Sequence, residues 1–95
     1  MDNLMSDKIE EGLLNIFVQR FDIDFTKWDK DYYFKNLLGE EIQLSARDLL
    51  YIYFDIKSQF NITIPQEEIA NGKFSTFGGI LEIILSQMKQ REMAL

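Results

Sequence analysis

Few side chains in this 95-residue chain are equipped for chemistry. Histidine and cysteine are both absent. That removes the commonest general base, the thiol nucleophile and the usual transition-metal ligands. Five serines remain, and none has an evident activating base near it in sequence. Ser45 is the most distinctive, because it opens Ser-Ala-Arg-Asp ahead of an apolar run. This S-x-x-D pattern has the form of a helix capping box. The cluster Asp22, Asp24, Asp29 and Asp31 offers carboxylates, but a calcium loop also needs a turn glycine and a terminal glutamate. A solvated loop, with no metal site, is the expectation there. Glu40-Glu41 and Glu67-Glu68 read as acids on solvated turns. Catalysis by this chain alone is not expected.

Composition narrows the class further. The length suits a single domain spanning residues 1–95. Hydrophobic residues make up 46%, too many for a disordered chain. The net charge of −6 opposes non-specific binding to nucleic acid, where Lys and Arg must neutralise phosphates. It permits a basic protein partner. No apolar run approaches the roughly 18 residues of a membrane span. The opening MDNLMSDKIEEG lacks the basic and apolar regions of a signal peptide, so a cytoplasmic protein is expected.

Four helices must position these residues. The first is expected over Asp7–Phe21 with Ser6 as its N-cap. Ile9, Leu13, Ile16, Phe17 and Arg20 recur on one face of it, widened by Leu14, Val18 and Phe21. Residues 22–43 mix charges with aromatics, and a short helix over Asp29–Leu38, stopped by Gly39, is the expectation. The second main helix starts at Ser45, ends near Phe60 and stops at Asn61. FNITIP is β-branched and could be a strand, but it has no evident mate and reads as an extended loop. A short helix follows over Gln66–Ala70, with Pro65 in its first turn and Asn71-Gly72 at its end. The last starts after Ser75 or Thr76 and runs to about Arg91, burying Phe77, Ile80, Leu81, Ile84 and Met88. Gly78 and Gly79 weaken its first turn. Either another backbone comes close there or the helix starts loosely.

The second helix carries more apolar residues than one face needs. Leu49, Ile52, Tyr53, Ile56 and Phe60 can share the core stripe, which leaves Leu50, Tyr51 and Phe54 pointing elsewhere. They form an exposed docking cluster, or they are buried beneath the Trp28–Phe34 segment. Residues 46–60 are electrically neutral, with Arg47 and Lys57 against Asp48 and Asp55. The negative charge sits mainly in the first forty residues, with nine acids against five bases.

Several of these pieces, in this order, resemble an acyl carrier protein. They are IEEGLLNIF in the first helix, Leu38-Gly39 before the second, the ending Phe60, Ile64 and Pro65, the EEIANG helix and FSTFGGILEII. The resemblance covers about residues 6–90. It implies an all-α, four-helix bundle of acyl carrier type, with three main helices and a short third. The family attaches 4'-phosphopantetheine to the serine of an Asp-Ser-Leu motif. Counting back from Pro65 places Ser45 at the aspartate and Ala46 at the serine, and no Asp-Ser-Leu occurs in the chain. Ser45 is therefore either a helix cap alone or a displaced attachment site. The register places two of the family's docking positions at Leu50 and Phe54, although carriers surround them with acids that this helix lacks. The variant closest to this pattern is the acyl carrier-related family of bacterial peptide maturation cassettes, which accompanies peptide-modifying enzymes and bacteriocin-like peptides. The resemblance does not itself fix a role; a scaffold or partner-binding module for such an enzyme or peptide, without a cofactor, is the expectation, and the exposed aromatic positions leave a monomer or a weak homodimer. Two other classes stand beside it: a genuine carrier using Ser45, and a small acidic immunity-type protein.

Overall fold

The computed structural model describes residues 2–93, with side chains described over 7–90. Four α-helices are present: α1 (Asp2–Phe21), α2 (Ala46–Phe60), α3 (Gln66–Ala70) and α4 (Phe77–Met93). Three 3₁₀ turns join them, at Phe25–Lys27, Lys30–Phe34 and Lys73–Ser75. Among the described residues there is no strand, only an isolated antiparallel bridge between Asn36 and Thr76. No helix among them is long and apolar enough to cross a membrane.

α1 begins earlier than its sequence pattern implies. The helix already runs from Asp2, so Ser6 lies within it and does not cap it. Neither Gly nor Pro interrupts Asp2–Ile9, and Leu4 and Met5 are good helix formers. Ile9, Leu13, Ile16 and Phe17 are buried as their spacing requires. Arg20 ends exposed and reaches across to α2, donating to Asp55 from Nε at 2.5 Å and Nη2 at 2.8 Å.

The expected helix over Asp29–Leu38 does not form. Lys30–Phe34 is a 3₁₀ turn, and Lys35 is already extended. Asn36 then bridges Thr76, and the Leu37 amide donates to the Ser75 carbonyl at 2.7 Å. The backbone here is satisfied by a distant segment, so it has no need of local helical bonds. Gly39 caps no helix; its amide donates to the Asn36 carbonyl at 2.9 Å in a turn.

This non-helical stretch closes the core. Phe25 and Phe77 are buried against Phe17 of α1, and Tyr33 is buried against both of them. Ring centroids lie 5.2 Å apart for Phe17–Phe25, 4.7 Å for Phe25–Phe77 and 4.4 Å for Tyr33–Phe77. The cluster ties α1, both early 3₁₀ turns and α4 together. Phe77, Ile80 and Ile84 are fully enclosed on α4, joined by Ile83, which the expected stripe omitted; Leu81 and Met88 are half-buried at its edge. Between α2 and α3 the chain is neither helix nor strand, with Ile62 and Ile64 buried and Asn61 and Thr63 exposed. That alternation is a strand's, but its edges find no partner strand among the described residues.

One polar contact anchors the long loop to α1. Tyr33 Oη donates a hydrogen bond to Glu10 Oε2, and Lys30 Nζ approaches the same oxygen at 3.2 Å. The tyrosine hydroxyl and then the ammonium hold the Glu10 carboxyl below its usual range. A carboxylate depressed in the folded state stabilises the fold above its unfolded value of about 4.3, and that contribution disappears as pH falls through the folded value. Tyr33→Phe removes the leading donor. Urea midpoints measured from neutral pH down through the carboxylate range should therefore fall less steeply in the variant than in the wild type. Parallel acid limbs would show that the Tyr33 hydroxyl contributes nothing through Glu10.

Candidate partner-binding surface

The loop before α2 is pinned to the core by Ile42 and Leu44, each 8% exposed. Gln43 turns the chain through a left-handed conformation, and its amide donates to the Gly39 carbonyl at 2.7 Å. Ser45 is thus delivered at a fixed place. Its Oγ accepts from the Asp48 amide at 3.2 Å, and Asp48 Oδ2 accepts from the Ser45 amide at 2.9 Å. The capping box legible in Ser-Ala-Arg-Asp is complete and reciprocal. Asn61 closes the other end of α2 in the left-handed conformation.

α2 divides into two stripes. Ile52 and Ile56 are buried, with Leu49, Tyr53 and Phe60 packed beside them. Leu50, Tyr51 and Phe54 are exposed, at 52%, 42% and 56%. The Trp28–Phe34 segment does not cover them. Trp28 stacks with Tyr32 and meets Phe25, and Phe34 lies against Gly78. Tyr51 differs from the other two, because the Arg20 guanidinium sits 5.0 Å above its ring. It belongs to the seam between α1 and α2, beside an open polar groove that Arg20 and Asp55 line. Among the described residues no cation covers Leu50 or Phe54 in this way, and the Phe54 ring meets Tyr53 of its own helix edge-on at 5.5 Å.

Leu50 also lines an apolar cleft of ≈ 370 Å³ between α2 and α3. Leu49 and Tyr53 form one wall, Ile69 and Phe74 the other, and Ala46 lies at its edge next to Ser45. Ile69 is 41% exposed, so the cleft and the α2 stripe form a continuous apolar surface. Sequence reasoning named Leu50 and Phe54 but missed Ile69. As the single large apolar residue of α3, QEEIA, it was the available signal.

Of the early-loop acids, Asp24 is engaged in local structure, whereas Asp29 stands at the N-cap of the second 3₁₀ turn without a side-chain cap bond. Asp24 caps the first 3₁₀ turn, accepting from the Thr26 amide at 2.9 Å and from its hydroxyl. These bonds hold its carboxyl below the usual range. Among the described residues, no group of three His, Cys, Asp or Glu side chains converges on a point that could hold a metal ion.

No protein-family model matches this chain, and comparison with curated proteins and with solved structures returns no match of significance.

Proposed function

We propose that this chain is a non-catalytic, acyl carrier-like module that binds a partner through α2. The setting that the sequence resemblance implies is a bacterial peptide maturation system, with a modifying enzyme or its peptide as the partner. The observation that carries this reading is the pair Leu50 and Phe54, more than half exposed on a well-packed helix, with Leu50 lining the apolar cleft. The order of elements, with a long first loop, a short α3 and a capped α2, is the one the resemblance leads one to expect. Ser45 then serves as the cap of α2.

One observation favours a second reading, that of a genuine carrier. The cleft begins at Ala46, next to an exposed serine hydroxyl, where a tethered acyl group could shelter. Intact mass separates the two. The protein is incubated with coenzyme A, magnesium and a broad-specificity phosphopantetheinyl transferase, beside a known carrier as positive control. Unchanged mass supports the binding module. A gain of one phosphopantetheine that Ser45→Ala abolishes makes the chain a carrier. Ser45→Ala should also cost about 1 kcal/mol of stability, measured by urea unfolding, from loss of the cap.

A further inference from the structure

The charges bordering the exposed stripe of α2 identify the chemistry of its partner. Arg47, Leu50, Phe54 and Lys57 follow one another at intervals of three, four and three residues, which places them along one line of the helix. The line is cationic at both ends and apolar between, and its ends lie about 15 Å apart at a helical rise of 1.5 Å per residue. Arg47 is exposed and has no ion pair among the described residues. Lys57 has none either, and its ammonium rests 5.2 Å from the Tyr53 ring.

Three of the neighbouring acids are engaged elsewhere, and a fourth, Glu67, lines a different hollow. Asp48 is held in the capping box, and Asp55 is clamped by Arg20 on the α1 side. Glu67 and Glu68 line a separate hollow against α4 with Ile83 and Gln87, and Glu68 also pairs with Lys73 at 3.3 Å. Among the described residues no carboxylate lines the apolar cleft. In a chain with net charge −6, the exposed apolar line of α2 is thus bordered at both ends by cations that have no ion pair among the described residues.

We propose that this surface binds a short amphipathic peptide segment that is apolar at its centre and acidic at both ends. Leu50, Phe54 and Ile69 take the apolar side chains, and Arg47 and Lys57 take the flanking carboxylates. This rests on the reading of α2 as a docking surface and adds the sign of the partner's charge. A helix of the partner laid along α2 would bring its terminal acids over the two cations by helix-in-groove recognition. Anionic membrane is the less suitable occupant, because two cations must compete with the net negative charge of the whole chain.

The test uses a synthetic peptide with leucines at helical spacing between glutamates, and its twin with lysines for the glutamates. Binding to the full chain is followed by fluorescence anisotropy. The acidic peptide should bind, and more weakly as salt rises. Arg47→Glu with Lys57→Glu should weaken it about tenfold. The lysine peptide should bind that double variant better than it binds the wild type. Leu50→Ser with Phe54→Ser should abolish binding of both, with circular dichroism confirming that the helices persist. If both peptides bind the wild type equally, or the lysine peptide binds more tightly, the charge assignment fails while the docking surface stands. If neither peptide binds any form, the docking surface itself falls. Equal or stronger binding to vesicles of anionic phospholipid would give the surface to membrane. Concentration-dependent dimers in sedimentation, lost in Leu50→Ser with Phe54→Ser, would give it to a second copy of the chain.

Discussion

Gly79→Ala should destabilise the chain by about 3 kcal/mol, seen as a large drop in the urea midpoint with the slope unchanged. A Cβ built on Gly79 would stand 2.0 Å from the Lys73 carbonyl oxygen and 2.9 Å from its carbon. Both are backbone atoms of the 3₁₀ turn that enters α4, so no side-chain rotation relieves the clash. Either the turn moves or α4 starts later, and the second course breaks the bond from the Gly79 amide to Thr76 Oγ1 at 2.9 Å. Alanine's better helix propensity returns only about 1 kcal/mol. Gly72→Ala is the control. Gly72 has φ +86° with nothing within 4 Å of the added carbon, so its cost is only that of a left-handed conformation, about 1 kcal/mol. Equal midpoints for Gly79→Ala and the wild type would show that the turn and α4 are not in close contact.

Phe77→Ala should cost about 3–5 kcal/mol. Phe77 is fully enclosed, and its ring meets three others, from α1 and from each of the early 3₁₀ turns. Removing it leaves a void where three segments converge. A chain of this length has a total stability of about 5–14 kcal/mol, so the variant should melt tens of degrees lower and bind hydrophobic dyes. Phe34→Ala is the matched comparison. Phe34 is 73% exposed, and its loss should stay within about 0.5 kcal/mol. Similar losses for the two phenylalanines would overturn the assignment of the core.

Local patterns announced some of these features and hid others. The capping box, the stop at Asn61 and the alternating run through Ile62 and Ile64 each depend on neighbours within a few residues, so the sequence contains their whole cause. The glycine pair left a close approach and a loose helix start equally open, because the approaching backbones, Tyr33 at Gly78 and Lys73 at Gly79, are set by tertiary packing. Residues 22–43 were not legible as structure. Phe25, Tyr33 and Leu37 enter the core from turns, where no helical period marks them, and the Asn36–Thr76 bridge spans forty positions. On the candidate surface, the helical period of α2 set Leu50, Tyr51 and Phe54 apart from the core stripe. It could not separate Tyr51 from the others, because the Arg20 that covers it arrives from α1. The cleft was hidden for the same reason, since Ile69 and Phe74 approach α2 through tertiary packing.

α3 buries no side chain of its own. It is suspended between anchors, with Ile62 and Ile64 fixed in the core on one side and Phe74 on the other. Displacing it would expose little apolar area, so its opening free energy lies far below that of global unfolding. Ile69, which forms one wall of the cleft, rides on this segment. The cleft can therefore change width by a local excursion that leaves the aromatic core untouched. On the proposed docking role, a surface built this way would adapt to the bulk of its guest, and the two cations, both on α2, would keep their spacing, so the face would be permissive about side-chain size and strict about charge.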